Sequence, residues 1–273
     1  MRDVPLADTT LRVHVVGRGE PLLLLHGFPL DHRMWSGQEA LAGRLRLLAP
    51  DQRGFGRSGG SAPASVEQLA DDAAAALTAL APGARAVVCG LSLGGYVAQH
   101  VAIRHPDLVT ALVLVDTKLE ADTPDARAAR HDLAARVQRA GTRALADAML
   151  PRLFAASAVA RGTPQRGGAE ALVRAMILGT PVATVTAALA ALAARPDMTG
   201  AFATGTVPTL LVCGAEDVIT PPERMAADAA VIPGARLAVV PRCGHMTPLE
   251  DPAAFNALLA EFVDGLPRRE RRA

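Results

Sequence analysis

Short runs of apolar residues alternate along the chain with longer segments in which apolar residues recur every three or four positions. LRVHVV (11–16), PLLLLHG (21–27), LRLLAPD (45–51), AVVCG (86–90), ALVLVD (111–116), TLLVCG (209–214) and LAVVP (237–241) each gather four to six apolar or β-branched residues and stop at Gly, Pro or Asp. Runs of that length and punctuation predict strands buried on both faces, as in a parallel sheet. Between them, segments 36–43, 65–80, 94–104, 222–231 and 252–265 have helical length. Ser65 with Gln68 three residues on predicts a capping box at the start of one of them. The alternation predicts an α/β fold, a mostly parallel sheet with helices on both faces.

The rhythm breaks over 119–198, which is rich in Ala, Arg and Leu at helical spacing and is punctuated by Pro124, Pro151, Pro164, Pro181 and the polar stretch RGTPQRGG (161–168). We expect a helical insertion there, dividing the chain into a core of 1–118 and 199–273 and a cap of 119–198. Loops on that edge of a parallel sheet surround the ligand crevice, so the insertion is expected to act as a lid.

Half of the residues are hydrophobic but only 3% are aromatic, so the core is built mainly of Ala, Leu and Val. Lys and Arg total 28 and Asp and Glu 27, a balance that offers no long-range attraction to nucleic acid or to an anionic membrane. The Arg-rich end, PRRERRA, reads as a solvated tail. Cys89, Cys213 and Cys243 form neither a disulfide framework nor a zinc motif, and no His/Asp set at ligand spacing predicts a metal. The N-terminus has no apolar signal core and no run reaches transmembrane length, so the expected address is the cytoplasm. Oligomeric state is left open.

The chemistry lies at AVVCGLSLGGYVA (86–98). Gly90-Leu91-Ser92-Leu93-Gly94 is G-x-S-x-G between a predicted strand and a predicted helix. A strand that turns into a helix within about one residue strains the serine and exposes its hydroxyl, and side chains two positions to either side would collide. A serine nucleophile needs a base, and the base an orienting acid. Of the seven histidines, His245 alone lies beyond position 131, on the loop after the last predicted strand. Asp217, three residues past Gly214, is the candidate acid; Asp116, which ends the strand before, is its rival, and Glu216 is expected to face solvent. The amides of Leu93 and of Phe28, which follows His26-Gly27 and is held extended by Pro29, are the candidate oxyanion donors. His26 reads as a loop-shaping residue. Trp35 and Met34 either wall the pocket or belong to the core; Leu91, Met149 and Met176 are further candidates for the wall. Arg33 either meets a substrate carboxylate or pairs with Asp31.

HGFPLDHRMW, PDQRGFGRS, GLSLGG, GAEDVITPP and GHMTPLEDP, in that order and at these separations, carry a resemblance to the α/β-hydrolase superfamily over nearly the whole chain. Within it the chain resembles the branch of 3-oxoadipate enol-lactonases, esterases and metal-free haloperoxidases or perhydrolases. The resemblance implies an eight-stranded sheet, the eighth strand lying in the first thirty residues beside LRVHVV. It also implies Ser92 as nucleophile, His245 as base, Asp217 as acid, Phe28 and Leu93 as oxyanion amides, and no cofactor. The expected substrate is a small ester or lactone. Enol-lactone hydrolysis and perhydrolysis are alternatives on the same machinery, and a ligand receptor that does not turn over is the alternative of another class. Gly54–Gly59 spells G-x-G-x-x-G, but no helix follows directly to hold a pyrophosphate, so nucleotide binding is set aside.

Overall fold

The computed structural model describes residues 1–157 and 164–267; Arg268, Arg269, Arg271 and Arg272 of the tail lie outside the described residues. Eight strands, β1 (Arg2–Pro5), β2 (Thr10–Gly17), β3 (Glu20–Leu25), β4 (Leu45–Pro50), β5 (Ala86–Leu91), β6 (Val109–Val115), β7 (Thr209–Gly214) and β8 (Arg236–Val240), form one sheet in the order β1-β2-β4-β3-β5-β6-β7-β8. The eighth strand is β1, antiparallel to β2 with Val4 opposite Leu11. β2 is also antiparallel to β4, and every pairing from β4 through β8 is parallel.

β2 alternates, with Arg12 exposed between buried Leu11 and Val13, whereas the central runs β3, β5, β6 and β7 do not, because successive residues there enter two different cores. Leu23 and Leu25 face one core together with Val88, Leu112 and Leu114, while Leu22 and Leu24 face the other with Val87, Cys89 and Val113. A strand covered on both sides has no solvent face to mark. Three helices, α1 (Val66–Leu80), α2 (Leu93–Arg104) and, after β7, the helix Pro222–Val231, bury Leu69, Val97 and Met225 in the first core. The Ser65 hydroxyl accepts the Gln68 N–H at 3.1 Å. Gln68 returns to the N–H of Ala64, at 2.8 Å, one residue earlier than in a capping box.

Among the described residues, the regular elements between β6 and β7 are helices: α3 (Pro124–Leu153), α4 (Pro164–Gly179), α5 (Val182–Ala194) and α6 (Thr199–Ala203). α3 is interrupted at Gly141, whose φ of 73° leaves the helical region. α7 (Pro222–Val231) follows β7, and α8 (Thr247–Glu250) and α9 (Pro252–Asp264) follow β8. No single described helix is long and apolar enough to cross a membrane.

The helix expected at 36–43 is instead a 3-10 segment over His32–Leu41. Tertiary ties set its tighter pitch. Asp31 accepts the Arg33 N–H at its start, Gln38 is buried and donates to the Pro248 carbonyl and to Asn256, and Gly37 abuts Pro252.

Candidate active site

β5 gives way to α2 within a single residue, Ser92, whose φ of 52° lies in the left-handed region that side chains avoid. The turn is so tight that a Cβ on Gly90 would stand 2.0 Å from the Gly94 carbonyl oxygen, and one on Gly94 2.0 Å from that of Leu25. The backbone around the serine is fully engaged. Ser92 N–H donates to Val115 at 2.9 Å, and the Ser92 carbonyl accepts from Tyr96 N–H at 3.1 Å and from the Thr117 hydroxyl at 3.0 Å. Leu93 opens α2, where the first N–H groups have no carbonyl partner in the helix and carry a partial positive charge. Phe28, on the loop after β3, lines the same cavity as Ser92; its bond to Pro29 is cis.

His245 sits on the loop after β8, which passes directly over the end of β7. A Cβ on Gly214 would meet the Gly244 carbonyl oxygen at 2.1 Å, so only glycine allows that crossing. Glu216 N–H donates to Cys243 at 2.8 Å and His245 N–H to Leu153 at 2.9 Å, fixing the loop on both sides. The crossing brings His245 Nδ1 to 2.8 Å from Asp217 Oδ2. A carboxylate only accepts, so Nδ1 carries the hydrogen and Nε2 is left as the basic nitrogen. The other oxygen of Asp217 accepts the N–H groups of Ile219 at 2.7 Å and Thr220 at 3.1 Å. Burial alone lowers the pKa of His245, but the charge and hydrogen bond of Asp217, with Asp116 and Glu250, outweigh it and hold the imidazole above its ordinary value.

Asp116 is fully buried beside this pair, with φ 45°. Its Oδ1 accepts Gly214 N–H at 3.0 Å and its carbonyl the Thr220 hydroxyl at 3.3 Å, so it fastens both ends of the loop that carries Asp217. Its Oδ2 has no hydrogen bond of regular geometry. Burial and then the Asp217 charge push the Asp116 carboxyl up to about 8, against the opposing pull of His245 and of its hydrogen bonds. Glu216 does not face solvent as expected; it is half-buried and accepts the N–H and hydroxyl of Ser157.

Ser92 and His245 share a cavity of about 520 Å³. Met149 lines it, as expected, but Trp35, Leu91 and Met176 do not. Trp35 is buried with its ring 6.2 Å from that of Phe255, because the 3-10 segment turns it toward α9. Leu91 is the last residue of β5 and its side chain is turned under the Gly27 loop. Met176 is buried in α4 and touches a separate, smaller cavity. Residues that sequence reading missed complete the wall: Tyr96, Lys118, Asp122, Leu189 and Thr220 among them, with Ala126, Ala129, Leu133 and Arg136 from one face of α3. The spacing of those last four, three or four apart, is the signal that marks them as one helical face.

The smaller cavity is lined by Arg33, which pairs with Asp31 through two hydrogen bonds of 2.9 and 2.7 Å. Asp31, His32 and Asp51 come close enough together there to meet a cation, a cluster their sequence separation hides. Their atoms are already engaged: Asp51 accepts from His32 Nδ1 at 2.6 Å and from the N–H groups of His32 and Arg57 at 2.9 and 2.8 Å. Buried His26 accepts the Gln52 N–H at 3.0 Å and hydrogen bonds the Gly27 carbonyl, holding the two loops together.

A family model described as the Alpha/beta hydrolase family matches residues 22–258. The chain is 32% identical over 265 residues to the pimeloyl-[acyl-carrier protein] methyl ester esterase of Edwardsiella ictaluri, covering 92% of this chain and 96% of that one. Among solved structures it is similar to a thermophilic esterase from Thermogutta terrifontis, with TM-score 0.92 and 36% identity over 97% of this chain and 99% of the other. It is also similar to the enol-lactonase from Burkholderia xenovorans LB400, with TM-score 0.87 and 28% identity over 96% and 100% of the two chains.

Proposed function

The chain belongs to the alpha/beta hydrolase family, and from that premise we propose that it is a serine hydrolase that cleaves a carboxylic ester or lactone through an acyl-serine intermediate. The observation that carries the reading is the 2.8 Å hydrogen bond from His245 Nδ1 to Asp217, behind an imidazole that shares its cavity with a serine on a strained strand-to-helix turn. The names of the similar proteins, two esterases and an enol-lactonase, support an ester or lactone carbonyl as the target.

Ser92 attacks the carbonyl carbon while His245 Nε2 takes its proton. Asp217 keeps the imidazole in the required tautomer and steadies the charge it gains. The N–H groups of Phe28 and Leu93 receive the oxyanion, and loss of one such donor typically costs about 3 kcal/mol. His245 then gives its proton to the leaving oxygen, and water repeats the sequence on the acyl-serine. No step calls for a metal or a cofactor.

The direct test is a fluorophosphonate probe with peptide mapping. One label, on Ser92, with parallel loss of ester hydrolysis, is the expected result. A label on Ser58 or Ser61, or none with hydrolysis intact, overturns the assignment of the nucleophile.

The segment 119–198 acts in this reading as the cap that shapes substrate preference, since none of the five reacting groups comes from it. Met149 lines the cavity and Met176 does not, so the two separate preference from packing. Met149→Ala is expected to shift the preferred acyl length among p-nitrophenyl esters. Met176→Ala is expected to lower stability by about 2–5 kcal/mol and leave the order of preference alone. Denaturant melts and a chain-length series check both; a reordered series with Met176→Ala would count against the assignment.

A further inference from the structure

The wall of the reactive cavity is strongly unbalanced in charge. Among the described residues, Lys118, Arg130, Arg136 and Arg152 line it against one carboxylate, Asp122. Asp122 is already taken: it pairs with Arg195 at 2.8 Å, with Arg130, and with Lys118 at 3.6 Å, and its side chain is buried. Burial would raise its pKa, but Arg130 and Arg195 hold it well below the usual carboxylate range. The acid is therefore ionised and its charge offsets cations that already surround it. Arg136 and Arg152 are exposed, and among the described residues neither forms an ion pair or a hydrogen bond with any carboxylate.

Their convergence is a product of the fold. Arg136 belongs to the half of α3 that also presents Ala129 and Leu133, whereas Arg152 belongs to the half that presents Ala148 and Met149. The break at Gly141 lets both halves face one cavity, which an uninterrupted helix of this length could not do. Between them and the serine the wall also carries the apolar side chains of Leu133, Met149, Leu153, Leu189 and Leu192. Two permanently charged planar forks above such a wall match a carboxylate on an otherwise apolar molecule.

We propose that the substrate is an ester carrying a second, anionic group, a carboxylate, which Arg136 and Arg152 hold while the ester carbonyl lies at Ser92. The inference rests on the ester-hydrolase reading of the same cavity. A carboxylate remote from the reacting carbon is held equally in the ground and transition states, so its effect falls on KM rather than on kcat. Exposure of both guanidinium groups moderates the preference to about tenfold at low salt.

The experiment compares mono-p-nitrophenyl adipate, which is anionic, with neutral p-nitrophenyl hexanoate. Wild type is expected to favour the anionic ester about tenfold in kcat/KM, through KM. In Arg136→Gln/Arg152→Gln the ratio is expected to fall to about one. For wild type it is also expected to fall at about 1 M salt, where the screening length shrinks to about 3 Å. The salt series needs no variant and stands even if the double substitution fails to fold. Equal rates on both esters in wild type, or a preference that neither salt nor the substitutions move, overturns the proposal while leaving ester hydrolysis in place. Loss of turnover on both esters in wild type, with Ser92 unlabelled by fluorophosphonate, overturns the hydrolase reading and this inference with it.

Discussion

Ser92→Ala is expected to lower ester turnover by about a millionfold while the protein keeps its fold. The substitution removes one oxygen from a turn whose hydrogen bonds are all made by the main chain of residue 92: its N–H to Val115, and its carbonyl to Tyr96 and Thr117. Alanine retains those bonds and has no greater difficulty at φ 52° than serine has. What it cannot do is form the acyl-enzyme, and without that bond the paired His245 and the helix N-terminus have only substrate binding to act on. The measurement is initial rate on an activated ester, beside circular dichroism and a thermal melt. A variant that keeps a tenth of the activity and melts as wild type does would mean that another group attacks the carbonyl.

Asp217→Asn is expected to lower kcat by about ten-thousandfold, because the amide favours the wrong tautomer of the imidazole it contacts. Asp116→Asn is expected to change kcat by less than about tenfold. Three features of the site separate the two acids. His245 Nδ1 has a single hydrogen to give, and it is 2.8 Å from Asp217. Asp116 instead spends one oxygen on Gly214 N–H. Burial and the neighbouring Asp217 charge push the Asp116 carboxyl up to about 8, which weakens it as a source of the negative charge that would steady an imidazolium. The pH profile gives a second readout. His245 must be neutral to accept the serine proton, so kcat/KM falls as pH drops through its pKa, which stands above the ordinary value of 6.5. Asp217 is the main force raising it against burial; with that charge gone burial prevails, and the acid limb of Asp217→Asn is expected to move to lower pH. A collapse in Asp116→Asn with Asp217→Asn nearly unharmed would transfer the orienting role to the end of β6.

Much of this protein is legible along the chain because the features concerned are set by neighbours in sequence. The central strands β3, β5, β6 and β7 stand out because a strand buried on both faces is apolar at nearly every position, and β1 escapes because its four residues lie at the sheet edge with three of them exposed. The serine turn is equally local: two glycines are needed where β5 meets α2, and their absence would be a steric contradiction that no distant residue could relieve. The 3-10 segment at 32–41 was hidden for the opposite reason, since its pitch follows from contacts with Pro248, Pro252 and Asn256 more than two hundred residues away.

The sequence by itself determined the order of the strands along the chain, the sharp turn at Ser92, and a choice between two aspartates for one histidine. Only the tertiary structure decided which aspartate the histidine meets, that Met149 rather than Met176 reaches the cavity, and that Arg136 and Arg152 both line it with no carboxylate paired to either among the described residues. The reason is one of range: steric rules of a turn act over a few bonds and are written in residue type, whereas a cavity wall is the sum of where several helices end up. Here that sum turns on the break at Gly141 and on the crossing of Gly214 by the His245 loop, two positions at which the backbone, not the side chain, sets what lies within reach.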